Sequence, residues 1–298
     1  MIVIKKYKRK GSDLQVILKD NSYVDLHIHS NASDGTHSPE ELIEEALKNG
    51  IELMALTDHD EIENIEKMKS LTKDKGIAFL PGIEISSTFK GKLYHILAYG
   101  TNNKNKELIK LIDYNKYLLN KRNDESIKYL IEKGYEIDFS EYEKYEYDRR
   151  RGGWKSLSFL IDKGICRDVG DYFNRLFYKQ KTILFPEFPS TEEVVKIIKK
   201  ADGIPVLAHP YYEKDDTPVS KKLSIFIDMG LEGIECFHPN HSNDIINNCL
   251  EWCRKEGVII TAGSDFHGGF IETRRMGTPK VTIKDLNLGE LNSKILVY

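Results

Sequence analysis

Hydrophobic positions follow two periods along the chain. Crowded or alternating apolar runs stand at "YVDLHIHS" (23–30), "IELMALTDHD" (51–60), "IAFLPGIEISSTF" (77–89) and "KLYHILAYG" (92–100). Others stand at "IPVLAHP" (204–210), "LEGIECFH" (231–238) and "VIITAGSDFHG" (258–268). Each predicts a strand. Between them, apolar residues recur at helical spacing in "SPEELIEEALKNG" (38–50), "EIENIEKMKSLTKDKG" (61–76), "TEEVVKIIKKADG" (191–203), "KKLSIFIDMG" (221–230) and "NDIINNCLEWCRKEG" (243–257). The Ser-Pro-Glu-Glu start and terminal Gly of the first are helix boundaries. Strand and helix in turn predict parallel βα units, an α/β fold.

Two regions break this rhythm. Residues 2–20 read as a hairpin, "IVIKKYK" and "LQVILKD" around a turn at "RKGSD". From 101 to about 185 no apolar strand run occurs, and long amphipathic stretches such as "NKELIKLIDYNKYLLNKRNDESIKYLIEKG" predict helices. The expected organisation is an N-terminal hairpin extension over 1–22, a first barrel part over 23–100, a helical insertion over 101–190 and a second barrel part over 191–298.

Composition narrows the partners. Lys and Arg number 44 against 47 Asp and Glu, a net charge of -3, which argues against duplex nucleic acid or an anionic membrane as partner. The cysteines, Cys166, Cys236, Cys249 and Cys253, form no Cys-x-x-Cys pair. Cys249 and Cys253 share one face of a predicted helix, and such sparse thiols suit a reducing cytoplasm. The N-terminus has no signal-peptide pattern, and no segment reaches membrane-spanning length. A cytoplasmic location is expected.

The chemistry is concentrated in histidine. Of nine, His27 and His29 end the first strand, His59 the second, and His209 and His267 later ones, with Asp265 beside His267. Glu84 and His95 lie on the two strands between. In βα barrels the loops at strand C-termini build the active site. A period of two puts His27 and His29 on one strand face, about 7 Å apart, where two imidazoles can grip one ion. Asp265-x-His267 repeats the spacing. Asp34, in the turn after the first strand, is preferred over Asp25 as the early carboxylate, and Asp58 and Asp60 flank His59 as residues able to orient an imidazole. His37 reads as an exposed residue at a helix start. His238 and His241, in "FHPNHS", read as loop structure or substrate contacts.

In order, "DLHIHSNASDGTHSPEEL", "LTDHD", "GIEIS", "HILAYG", "LAHP" and "GSDFHG" resemble the PHP (polymerase and histidinol phosphatase) family of metal-dependent phosphoesterases, over residues 23–100 and 195–270. The helical segment is similar to the insertion of the nucleoside 3′,5′-bisphosphate phosphatase branch. The resemblance implies a distorted (β/α)7 barrel holding three divalent ions, Mn, Zn or Fe. It implies that His27, His29, Glu84 and Asp265 hold the first ion. Glu84 would bridge to a second with His95 and His209, and Asp34, His59 and His267 would hold the third. A hydroxide bridging the ions at Glu84 would attack phosphorus, with ions about 3.5–4 Å apart.

One departure bears on substrate. Where bisphosphatases of the family carry Arg-Pro-His, this chain has Gly153, Trp154 and Lys155 inside "RRRGGWKSLSFLIDKG". Lys155, with Arg149, Arg150 and Arg151 upstream, is a candidate phosphate grip; the alternative is a solvated basic turn. Arg151, Lys155, His238 and His241 are therefore the candidate substrate contacts, and His241 or His238 the candidate proton donor. Trp154, Tyr142, Tyr145 and Tyr147 either stack on a base or pack the insertion's own core. The expected reaction is hydrolysis of a phosphate monoester of a nucleotide or another small phosphorylated metabolite. Alternatives are 5′→3′ exonuclease action on short oligonucleotides, a non-catalytic regulatory PHP module, and C–N hydrolysis by the same metal hydroxide.

Overall fold

The computed structural model describes residues 18–180, 183, 185–210 and 219–298. The residues that carry the expected N-terminal hairpin, up to residue 17, lie outside the described residues.

Among the described residues, eight strands form one sheet: β1 (Tyr23–Asp25), β2 (Ile51–Leu56), β3 (Ala78–Phe89), β4 (Lys92–Tyr99), β5 (Ile204–Leu207), β6 (Gly233–Phe237), β7 (Ile259–Ala262) and β8 (Val281–Thr282), in the order β7-β6-β5-β4-β3-β2-β1-β8. The chain past β1 meets the chain past β7 through Leu26 N–H to Ala262 O (3.0 Å), Asp265 N–H to His27 O (2.8 Å) and His29 N–H to Phe266 O (2.9 Å). These bonds bring the two ends of the β1–β7 array together as a barrel, and β8 lies against β1 outside it.

The strands are not all parallel, as the alternation had predicted. β4 runs antiparallel to both β3 and β5. The reason is local: Lys90 and Gly91 both have positive φ, 49° and 70°, the geometry of a two-residue hairpin turn. So short a link leaves no room for a crossover helix. His95 therefore sits within β4, opposite Ser86, and not at a strand C-terminus.

The helices follow the sequence pattern. α1 (Pro39–Lys48) is closed by a capping box between Ser38 and Glu41, and α2 (Ile65–Lys75) ends on Gly76 in the left-handed region. Between β4 and β5 the chain is helical: α3 (Lys106–Glu132), α4 (Phe139–Lys144), α5 (Lys155–Asp162) and α6 (Thr191–Lys200). α7 (Val219–Asp228) and α8 (Asn243–Glu256) complete the outer layer. Cys249 and Cys253 of α8 are buried beside Cys236, with Cys236 Sγ 3.7 Å from Cys253 Sγ. Among the described residues no helix is long and apolar enough to cross a membrane.

Inside the barrel an apolar layer supports a polar one. Leu26, Leu53, Leu80, Leu97, Tyr99 and Val206 are fully buried in one cluster. On β3 the same side of the strand that carries Ala78 and Leu80 reaches Glu84 and Ser86 two and three pleats later. Gly82 lies between them because a Cβ there would stand 2.8 Å from Thr57 Cγ2 and 3.1 Å from the Tyr99 ring. Tyr99 fills that space and donates its hydroxyl to Leu26 O at 2.7 Å. The helical segment has its own core, around Ile127, Tyr142, Phe159, Leu160 and Tyr172.

Leu97→Ala removes the centre of the apolar layer. It should lower the unfolding free energy by about 2–5 kcal/mol in denaturant titration, with little change in slope.

Candidate metal centre

Glu84 is fully buried and each of its oxygens faces imidazole nitrogens. Oε1 lies 3.0 Å from His95 Nδ1 and 2.9 Å from His209 Nε2. Oε2 lies 3.0 Å from His27 Nε2, 3.2 Å from His29 Nε2 and 3.2 Å from His59 Nδ1. Two flanking carboxylates extend the cluster. Asp265 Oδ1 is 3.0 Å from His29 Nε2, and Asp34 Oδ1 is 3.3 Å from His267 Nε2. His27, His29, His59, His209, Asp265 and His267 follow strand ends, Glu84 and His95 lie within β3 and β4, and Asp265 and His209 reach their places through positive φ values of 51° and 23°.

Ligand atoms converge in three groups. One holds His27, His29, Glu84 and Asp265; a second His29, Asp34, His59 and His267; a third His59, Glu84 and His95. The three groups hold eight of the nine expected residues, and the ninth, His209, lies 2.9 Å from Glu84 Oε1. The third group adds His59 to Glu84 and His95; His209 shares Glu84 Oε1 with His95, as the expected second set has it, and His59 faces Oε2. Buried His29 Nδ1 has no hydrogen-bond partner, and buried His29 Nε2 and Asp265 Oδ1 face each other at 3.0 Å outside hydrogen-bond geometry. Orphaned donors on a mixed imidazole–carboxylate set fit divalent transition ions.

The outer groups fix how these ligands point. Glu235 is buried on β6, accepts from His209 N–H at 2.7 Å and lies 3.0 Å from His27 Nδ1. Asp265 Oδ2 faces His238 Nε2 at 3.2 Å and is also held by the Arg274 guanidinium, leaving Oδ1 toward His29. Asp25 is spent on Ser264 (2.6 Å to its hydroxyl) and Gly277 N–H (2.7 Å), so of the two early carboxylates it is Asp34 that meets the imidazoles. Asp58 accepts from the Ser30 and Ser33 hydroxyls, both at 2.6 Å, and Asp60 from Asn115 at 2.7 Å. Both thus brace the loops around His59 through serine and asparagine partners.

Without ions the centre is a proton-bearing network. Burial opposes charge on His29, but Asp265 and Glu84 outweigh it and raise its pKa to about 10. Burial would likewise raise Glu84, yet His27, His59 and His95 hold it well below the usual carboxylate range. Asp34 behaves in the same way beside His267 and His59. His59 goes the other way, pushed by burial to about 3.

The expected substrate contacts fall unevenly. His238 Nδ1 accepts from Asn240 N–H at 3.2 Å, so its other nitrogen donates to Asp265. His241 Nδ1 donates to Cys236 O at 2.9 Å, and burial lowers its pKa. A neutral ring in that state has no proton on Nε2 to give a leaving group. Arg151 pairs with Asp162 at 2.7 Å, and Lys155 donates to Glu143 O at 3.0 Å over the Tyr142 ring.

A cavity of about 390 Å³ opens onto Asp34, His59 and His95. Its walls include Arg122, Tyr147, Trp154, Lys155, Phe185 and Phe188. Arg122 escaped the sequence reading because it is one cation among many on an amphipathic helix. Its guanidinium stands 4.9 Å over the Trp154 ring, its Nε is buried without a partner, and no carboxylate pairs with it among the described residues. Glu235 carried a faint signal: an acid inside the apolar run "GIECF".

The PHP domain family matches residues 25–201, more than half of the chain. The chain belongs to the PHP domain family. It is an enzyme of the metal-dependent phosphoesterase class. Among its relatives, a 5′-3′ exoribonuclease of Haemophilus influenzae is 28% identical over 82% of this chain and 89% of its own length. A 3′,5′-nucleoside bisphosphate phosphatase of Chromobacterium violaceum is 27% identical over 82% of this chain and 87% of its own. A solved structure described as an amidohydrolase from Chromobacterium violaceum, with bound sulfate and no metal, superposes with a TM-score of 0.74 at 25% identity, covering 92% of this chain and 97% of that one.

A divalent ion on His29 must displace the proton that Asp265 and Glu84 hold there up to about pH 10. Ion binding should therefore release protons near neutrality, and apparent affinity should rise with pH between about 6 and 8. Calorimetric titration in two buffers of different ionisation enthalpy reads the proton release; buffer-independent heats would contradict it.

Proposed function

We propose that this enzyme hydrolyses a phosphate monoester of a nucleotide, or of a metabolite of similar size, with three divalent ions (Mn, Fe or Zn) held by the nine ligands named above. The observation that carries this reading is the cavity. At about 390 Å³ it falls near the low end of small-molecule sites, and its floor is three of the ligands. Ions bound there supply Lewis acidity toward phosphate oxygens and make water acidic enough to attack at neutral pH.

The chain's own residues do the rest. Glu84 presents one oxygen to each side of the cluster and would help to hold two neighbouring ions. Glu235 holds the His27 ring through Nδ1, leaving Nε2 toward the ions. Arg122 is the cation best placed to receive a substrate phosphate, since a charged guanidinium without a carboxylate partner gains most from an incoming anion. Trp154 and Phe188 form apolar walls on which the rest of the substrate would lie.

Phosphate release with Mn²⁺ should be screened over nucleoside mono- and bisphosphates, sugar phosphates, histidinol phosphate and short oligonucleotides. A mononucleotide-sized monoester should give the highest kcat/KM. A higher value for stepwise release from an oligonucleotide 5′ end would overturn the monoester reading in favour of the exonuclease. His29→Ala should abolish turnover while the thermal transition persists. Arg122→Met should raise KM by about tenfold or more, the scale of a lost charged hydrogen bond, without changing ion content.

A further inference from the structure

The stretch "RRRGG" at 149–153 touches the three chain segments that carry Asp34, His59 and His267. Arg149 donates through both terminal nitrogens to Glu63 Oε2, each at 3.1 Å, and from one of them also to Ala32 O. Ala32 lies two residues before Asp34, and Glu63 four after His59. Arg150 reaches Glu41 at 2.9 Å. Gly153 N–H donates to Asp34 O at 2.9 Å.

The two glycines are seated between both ligand loops. Their φ values are 70° and 72°, a region that disfavours side chains. A Cβ on Gly152 would stand 2.9 Å from Asp34 O and 2.6 Å from Phe270 Cβ, and one on Gly153 would stand 2.8 Å from the Phe270 ring. Phe270 follows His267 by three residues, and their rings are 6.4 Å apart. From the insertion side, the Tyr147 hydroxyl donates to Gly152 O (3.0 Å) and Gly153 O (2.8 Å).

We propose that the Arg149–Gly153 turn is a positioning element: it orders the Asp34 and His267 loops and so sets how tightly that pocket holds its ion, and it does not grip the substrate phosphate. This rests on the metal-dependent reading above. Arg149 lines the cavity, but its fork is already committed to a carboxylate and a carbonyl. An exposed ion pair contributes little by itself. Here the same guanidinium bridges two loops whose candidate ligands must converge; groups bonded directly to ligands change ion affinity by about 10- to 100-fold, and a loop brace acts one bond further out.

The test uses the full chain stripped with chelator and titrated with Mn²⁺ or Co²⁺, with hydrogen exchange at residues 30–36 read on the ion-free protein. Arg149→Ala and Glu63→Gln should each weaken the weakest ion by about tenfold and speed exchange in that turn. The double variant should be no worse than either single, and Arg149→Lys should recover part of the loss. KM at saturating ion should be unchanged. Gly152→Ala should act in the same direction and more strongly; if it fails to fold, the Arg149 and Glu63 variants still decide. Unchanged ion affinity and exchange in both would overturn the proposal. So would a KM increase in Arg149→Ala that Glu63→Gln does not share, the mark of a phosphate contact. A wild-type protein that binds no divalent ion would refute the functional reading instead, and the exchange measurement would then decide the turn's role alone.

Discussion

Five imidazole nitrogens stand within 3.2 Å of the two oxygens of one carboxylate that no water reaches, Glu84. A buried charge of this kind is costly unless it is paired and hydrogen-bonded. Much of the architecture serves that requirement. The barrel must close, because His27 and His29 come from one end of the strand array and Asp265 and His267 from the other. It must also have a dry floor, supplied by Leu80, Leu97 and Tyr99, so that the polar layer above it interacts in a low dielectric. Outer residues such as Glu235, Asp58 and Asp60 then fix loops and rings that would otherwise turn toward Glu84 in competing ways.

The helical segment supplies what the barrel lacks. The barrel alone provides candidate ion ligands, all close to one another. Substrate needs walls and a charge that is not already neutralised. α3 brings Arg122, α5 starts beside Trp154, and the turn before α5 is wedged against the ligand loops. Cations that looked alike in sequence therefore divide by their partners. Arg149, Arg150 and Arg151 are each matched to a carboxylate, while Arg122 faces a ring and open space.

Much of this was legible in the chain. The capping box at Ser38 and the apolar spacing of "TEEVVKIIKK" mark real helix boundaries, because those signals are local. The histidine spacing marked the residues that now share one centre. Strand direction was not legible from alternation: β4 looks like any other apolar strand, and only the positive φ values at Lys90 and Gly91 reveal that it turns back. Partners were harder still. Asp58 reads as able to orient a ring because it is next to His59 in sequence, whereas in the loop past β2 its carboxylate accepts from Ser30 and Ser33.

The two-residue turn at Lys90–Gly91 also divides the centre by chain separation. Glu84 and His95 lie on paired strands of one hairpin and meet after a short loop forms, an event of microseconds. His27 finds Glu235 208 positions away, and Asp25 finds Ser264 at a separation of 239. Those contacts need a large loop to close, which is slow because chain entropy is lost before any contact repays it. Glu84 and the imidazole nearest to it along the chain are thus a local product of folding, and the rest of the cluster is assembled by topology.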